Sequence, residues 1–543
     1  MSTESSPPGA VAPPDPPAPV PSRRRLMRAM GTISLFTLLS RILGFIRDIV
    51  LAHSFGAGLA ADAFFVAFKL PNFLRRLFAE GAFNTAFIPV FSDYLARGDQ
   101  EATREAAQAV FTALATILLL VVAIGQLFMP YVVYIAAPGF ADQPEKFQLT
   151  VELTRVTFPY ILFISLVALA SGILNSFHKF ALPAFNPVLL NLALIFGALV
   201  LAPHLEQPTM GLAIGVFLGG VVQLAMLLPA LKRIGIPLRL RWKALSRTNR
   251  HPAISRVLTL MGPSVLGVSV AQINLLVDLF IASWLPAGSI SYLYYADRLV
   301  EFPLGLIGIA LGTAILPSFS ARVAHNDLDG LRRDLDFALR ITLLVNIPAT
   351  AGLIVLREPI LSMLFERGAF SGETTLLTAQ ALLAYSLGLT AFSAIKVGAP
   401  VFYALKDTRT PVRIAILCML SNILFSLLLI IPLQHAGLAL STTLSAFLNA
   451  GLLFYHLRQK IAFRPDRKLF TLLTKTTIAT GLMVLFLLWS RDTFWQSSAS
   501  TGQMAMILLP ILLLAVLLFV CATWLLGMEE PRALLRHLRK QPG

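Results

Sequence analysis

Charge is scarce in this chain. Of its 543 residues only 13% are Asp, Glu, Lys or Arg, while 56% are hydrophobic and the mean hydropathy is +0.75. A soluble domain carries about a quarter charged residues, so an ordinary globular domain is excluded and a polytopic membrane protein is expected. Cysteine is nearly absent. Cys418 and Cys521 both lie inside apolar runs, which excludes a disulfide framework and any CxxC zinc pattern. No GxxxxGK[ST] loop, HExxH or GxSxG motif occurs, and His53, His178, His204 and His325 are scattered. The chain therefore reads as a transporter rather than an enzyme. The first residues, MSTESSPPGAVAPPDPPAPVPSRRR, lack an apolar h-region and place their basic cluster last, so they are not a cleavable signal. A disordered Pro-rich tail is expected over 1–28.

What the sequence does have is apolar length. A crossing helix needs about 20 mainly apolar residues. About fourteen segments qualify: 30–53, 60–94, 106–136, 152–176, 183–203, 209–231, 256–284, 288–320, 334–356, 375–402, 411–432, 437–457, 470–490 and 504–527. The net charge of +16 sits mostly between them, which fits cytoplasmic-loop charge and not nucleic-acid binding. The loop LKRIGIPLRLRWKALSRTNRHPAISR is the most basic. Lys406, Arg409, Arg458, Lys460, Arg464, Arg467 and Lys468, and the tail with Arg532, Arg536, Arg539 and Lys540, fall on its side. APHLEQPTM, LPAGSI and QHAG on the other side are nearly bare. Both termini are thus expected to be cytoplasmic.

An internal repeat is visible. TAFIPVFSDYLARGD (85–99) matches TAILPSFSARVAHND (313–327), and the same offset places Pro183 on Pro411. Repeats of like orientation imply an axis along the membrane normal. The expected organisation is all-α: an N-lobe of six spans (29–231), a basic loop (232–255), a C-lobe of six spans (256–457) and two further helices (458–527). A basic tail (528–543) follows. A cavity between the lobes is the expected place for a substrate.

Charges also enter the apolar segments, where each costs about 2.5–3.5 kcal/mol unless it faces water or a partner. In ADAFFVAFKLPNFLRRLFAEGAF, Asp62, Lys69, Arg76 and Glu80 recur at helical spacing as one stripe. Arg75 sits beside it, and Asn72 lies one turn before Arg76. The first span adds Arg41, Arg47 and Asp48, with Arg41 and Asp48 on one face. The eighth adds Asp297, Arg298 and Glu301 at neighbour spacing. Asp278, Lys396, Asn422 and Ser426 follow. Arg340, near a span end, reads as structural. Arg41, Arg47, Arg75 and Arg298 outnumber their close acidic partners, which suits an anion and above all a phosphate.

SRILGFIRDIVLAHSFGAGLAADAFFVAFKLPNFLRRLFAEGAFNTAFIPVF, YYADRLVEFPLGLIGIALGTAILPSFS and KVGAPVFYALKDTRTPV closely resemble the MurJ (MviN) family, and the likeness runs over nearly the whole chain after residue 28. The resemblance implies a bacterial lipid II flippase of the multidrug/oligosaccharidyl-lipid/polysaccharide exporter superfamily, resident in the inner membrane and serving peptidoglycan synthesis and cell shape. The implied substrate is undecaprenyl-pyrophosphate-MurNAc-pentapeptide-GlcNAc, with cell-wall synthesis proteins as further partners. It carries substrate-binding roles onto Arg41, Arg47, Arg75, Arg298, Asp62 and Glu301. The last two helices become a groove for the lipid tail. A sodium site is implied at Asp278 and Asn422, although Ser426 stands where those members have an acid; membrane potential is the other implied drive. The alternatives are a flippase for another lipid-linked oligosaccharide, which only the motifs separate, and a drug/cation antiporter, which would favour acidic cavity residues. A membrane glycosyltransferase would need a catalytic acid or base facing an external loop, and those loops are short.

Overall fold

The computed structural model describes residues 23–76, 83–245, 251–464, 466–495, 501–528 and 530. Most of the expected Pro-rich and basic tails therefore lies outside the described residues. Every regular element among those described is helical. In the first half these are α1 (Arg23–Phe55), α2 (Leu59–Leu74), α3 (Asn84–Ala96), α4 (Gln100–Leu127), α5 (Met129–Ala136), α6 (Pro144–Thr157), α7 (Tyr160–Ser176), α8 (Ala181–Phe196) and α9 (Pro208–Arg233). In the second they are α10 (Pro252–Ala282), α11 (Ser289–Ala324), α12 (Leu328–Val355), α13 (Arg357–Phe365), α14 (Gly372–Leu387), α15 (Leu389–Ala404) and α16 (Arg409–Ile461). Last come α17 (Arg467–Phe494) and α18 (Thr501–Leu525).

Each expected span falls on one of these helices or on a broken pair. By length and apolarity alone, eight described stretches can cross a membrane, and the bent pair α14–α15 makes a ninth. That count covers the described residues alone, takes α16 once for two expected spans, and leaves out the span broken into α2 and α3. The span expected over 60–94 is α2 and α3, with 77–82, and so Glu80, outside the described residues. α16 merges two expected spans, and the chain leaves helical geometry at Gln434 (φ 48°, ψ −127°) between them.

The repeat is written into the backbone as well. Gly98 and Asn326, at matched positions, both have positive φ (75° and 53°), as do His178 and Lys406 (56° and 58°). Each of the first two is followed by an aspartate that caps the next helix. Asp99 accepts from the Ala102 amide at 3.0 Å and Asp327 from the Gly330 amide at 2.8 Å. A carboxylate there satisfies one of the free donors of a helix start.

Within the first half α1 packs on α8, α8 and α7 on α9, and α2 on α6; within the second α11 packs on α14 and α15, and α14 and α15 on α16. α10 departs from this division, since it rests on α3 and α4 as well as on α16. α17 and α18 pack together and dock on α12 and α13 through Leu356, Met483, Leu487, Leu508 and Ile511. At one end of the bundle, the basic end, Arg256 of α10 pairs with Asp93 of α3 at 2.9 Å. At the opposite end the halves meet along their turns.

Candidate functional site

The seam between the halves is built first from backbone. The carbonyl of His53 accepts from the amide of Ala369 at 2.9 Å. That approach requires glycine on both sides. A Cβ on Gly56 (φ 60°) would lie 2.2 Å from the Ala369 carbonyl, and one on Gly368 (φ 61°) would lie 2.4 Å from that of His53. Nearby, the Gly139 amide donates to the Ser283 hydroxyl at 3.0 Å and the Tyr295 hydroxyl to the Gly56 carbonyl at 3.3 Å.

Asp62 belongs to this seam, which corrects its expected place in the cavity. It is fully buried and accepts from four donors: Lys146 Nζ (3.0 Å), the Gly288 amide (2.7 Å), the Ser291 amide (2.9 Å) and the Ser291 hydroxyl (2.7 Å). A residue of the first half thus caps the start of α11 in the second, where helix amides and dipole favour a negative charge. Lys146, also buried, rests over the Phe140 ring at 4.0 Å.

Next along the helices lies an ionic cluster. Arg47 is buried and bonds through all three of its nitrogens. Nε and Nη2 reach Asp48 Oδ1 at 3.0 and 2.7 Å, Nη1 reaches Asn191 Oδ1 at 3.0 Å, and Nη2 also reaches the Tyr294 hydroxyl at 3.0 Å. Tyr294 in turn donates to Asp48 Oδ1 at 2.9 Å and stacks on Phe65 at 4.1 Å. Arg298 lies over the Tyr294 ring at 4.8 Å, with Nε 3.6 Å from Asp48 Oδ2 and Nη1 2.6 Å from Glu301 Oε2. Arg41, expected beside Asp48, instead lies against Gly305 of α11: a Cβ there would stand 2.0 Å from its Nη1. Arg75 Nε donates to Asn72 Oδ1 at 3.1 Å, and Asn72 is anchored by donating to the Phe68 carbonyl at 2.8 Å.

Glu301 stands twelve residues into α11, about 18 Å from its start, yet it is exposed, as are Lys69 and Arg41. Lys69 is within electrostatic reach of Asp297, Asp278 and Arg298, and Asp297 is within reach of Glu301, Arg298 and Arg76. Exposed charge gathered at that depth marks an aqueous space between the halves. Five bases (Arg41, Lys69, Arg75, Arg76, Arg298) stand there with three acids (Asp278, Asp297, Glu301), and the buried Arg47–Asp48 pair beside them cancels. Basic charge prevails by two, which favours an anionic guest.

This is the architecture of a known family. The family model described as "Lipid II flippase MurJ" matches residues 51–510. The chain belongs to the MurJ family. The "Probable lipid II flippase MurJ" of Vibrio cholerae is 43% identical over 515 residues, covering 93% of this chain and 97% of that protein. The "Lipid II flippase MurJ" of Burkholderia cenocepacia is 41% identical over 510 residues, covering 93% and 96%. The solved MurJ structure in an inward closed conformation superposes with TM-score 0.74 at 28% identity, over 90% of this chain and 97% of that one. A multidrug resistance MATE transporter in an inward-facing conformation gives TM-score 0.60 at 16% identity, a likeness of fold alone.

Two of the residues expected to hold a cation, Asp278 and Asn422, do meet. Asn422 Nδ2 donates to Asp278 Oδ1 at 2.7 Å and Asn274 Nδ2 to Asp278 Oδ2 at 3.4 Å. Asn422 Oδ1 is buried with no partner. One carboxylate and two amide oxygens, one of them that orphaned acceptor, fit a hard cation in donor type. Ser426 takes no part, being bonded to Ser441 at 2.7 Å. Arg340 pairs with Asp336 at 2.8 Å and Glu530 at 3.3 Å, a structural role as expected. Tyr294, Asn191, Lys146 and Ser291 were not singled out by sequence reasoning. Their roles depend on which helices face one another, and no spacing rule within one helix carries that.

Proposed function

We propose that this chain flips lipid II, undecaprenyl-pyrophosphate-linked peptidoglycan precursor, from the cytoplasmic to the periplasmic leaflet of the bacterial inner membrane. The observation that carries the reading is the base-rich aqueous space between the halves, sealed at one end by the Asp62 and His53 contacts. In this reading the basic end and both termini are cytoplasmic, and the structure corresponds to the state that receives substrate. Arg41, Arg75 and Arg298 meet the pyrophosphate, which guanidinium binds bidentately. Arg47 and Asn72 hold that set in place, and Glu301 orients Arg298. The apolar tail stays in lipid, and α17 and α18 offer it a groove.

Transport by alternating access then requires the seam to open and the basic end to close about the bound headgroup. A sodium ion held by Asp278, Asn274 and Asn422 would supply positive charge next to Asp278. Release from those three residues, or the membrane potential, would then serve to reset the cycle. The deciding experiment depletes this protein in cells and adds an enzyme that cleaves lipid II only from outside. Loss of cleavage with precursor accumulating inside is expected. Unchanged cleavage in cells lacking any other flippase would overturn the reading.

A further inference from the structure

Away from the ionic cluster, the first half encloses a second pocket of about 280 Å³ between α2, α3, α7, α8 and α9. That is many times what one water needs. Its chemistry is unlike that of the inter-lobe space. Apart from Arg75 its polar lining is neutral: Asn84, Ser171, Asn175, Asn186 and Gln223. Asn186 is only 4% exposed, yet neither its side-chain oxygen nor its nitrogen has a partner, and Asn84 Oδ1 has none either. Buried amides left without partners cost about 1–3 kcal/mol each, so a protein that keeps them in a pocket has a use for them. Gln223 does not satisfy Asn186 from the side. It donates to the Asn186 backbone carbonyl at 2.8 Å and so fixes the turn of α8 that carries the amide.

An amide offers a donor and an acceptor together, which matches the hydroxyl and acetamido groups of a sugar and not a bare phosphate or a hydrocarbon chain. The position adds a constraint. Arg75 lines the pocket and also belongs to the base-rich set, so a group lodged there sits next to an anion held by that set. We propose that this pocket receives the amino sugar attached directly to the pyrophosphate, with Asn186 and Asn84 hydrogen-bonding its ring substituents. The inference rests on the flippase reading above. It deepens that reading by assigning the sugar to one half of the molecule, so that anion and sugar are recognised by separate groups.

The test compares two ligands that differ in the sugars: lipid II with its peptide removed and undecaprenyl pyrophosphate, titrated onto the purified full-length protein in detergent and followed by native mass spectrometry. Asn186→Leu is expected to weaken the first about ten-fold while leaving undecaprenyl pyrophosphate unchanged. Arg75→Ala should weaken both. If Asn186→Leu weakens neither, or both equally, the pocket is structural and the proposal is overturned. Should that variant fail to fold, Asn84→Leu on α3 replaces it, and the same two outcomes support or overturn the proposal. Wild-type protein that binds neither ligand would instead sink the flippase reading, and the sugar assignment with it.

Discussion

Replacing Asp62 with alanine removes an acceptor from four donors at once and leaves the Lys146 ammonium buried without its partner. Breaking a buried pair from one side costs about 3–5 kcal/mol, and the lost helix cap adds about 1 kcal/mol. Three of the four contacts cross the seam, and the Lys146 ammonium, stranded within the first half, is dry only while the seam is shut, so the penalty falls on the sealed conformation and is relieved where the halves part. With 1.4 kcal/mol per factor of ten, about 4 kcal/mol shifts the balance toward opening by nearly a thousand-fold. The assay is labelling of a cysteine placed at Ser283, which lies in the seam, by a membrane-impermeant reagent added outside the cell. Labelling should be slow in the parent and fast with Asp62→Ala. A second change, Lys146→Met, should recover much of the seal, because it removes the stranded charge. Equal labelling in all three proteins would refute the assignment of Asp62 as an inter-lobe latch.

Arg298→Ala should leave the protein in the membrane but abolish rescue of depleted cells, with Arg298→Lys recovering little because it lacks the fork; growth as wild type would remove the anion role. Gly305→Ala should barely change thermal stability, since the nearest atoms to the added methyl are the far end of the flexible Arg41 side chain, yet should reduce transport at least several-fold in a proteoliposome flipping assay. Sodium should raise the melting temperature of the purified protein, and Asp278→Asn should cancel that rise. Outside the membrane, burial raises the pKa of Asp407, but the Lys460 ammonium and the Thr410 hydroxyl and amide outweigh it and hold the carboxyl below its ordinary value. A depressed carboxylate stabilises the fold fully above its unfolded pKa of about 3.9 and loses that contribution as pH falls further. The melting-temperature gap between wild type and Asp407→Asn should therefore be constant from pH 8 to 5 and shrink below about 4.

The helical architecture and the ionic cluster were legible because both rest on local rules. Apolar length marks a crossing helix, and Arg47, Asp48, Arg298 and Glu301 stand out as charges where lipid tolerates few. Asp62 stood out for the same reason, but its role could not be read from α2. Its stripe with Lys69 places both on one helix face, and only the position of α11 decides that the first turn of that face is sealed while the next is wet. Arg41 shows the same limit. Its spacing from Asp48 is that of helix neighbours, yet a glycine on a facing helix claims it. The orphaned amides of Asn84 and Asn186 are invisible in sequence, since asparagine in a helix usually finds a partner nearby.

On the proposed reading, the seal and the anion site share one rod. Asp62 grips α11 at Ser291, and Arg298 lies seven residues further, about 10 Å along the same helix. The intervening residues, YLYYAD, contain neither proline nor glycine, so the rod has no joint between them. Force on Arg298 from a bound pyrophosphate is therefore felt at the latch without any relay through other residues. Linkage then runs both ways: by whatever factor a bound headgroup shifts the latch, the state of the latch shifts affinity for the headgroup by that same factor. A flippase built on this rod can release its cargo only by giving up the energy with which it was captured.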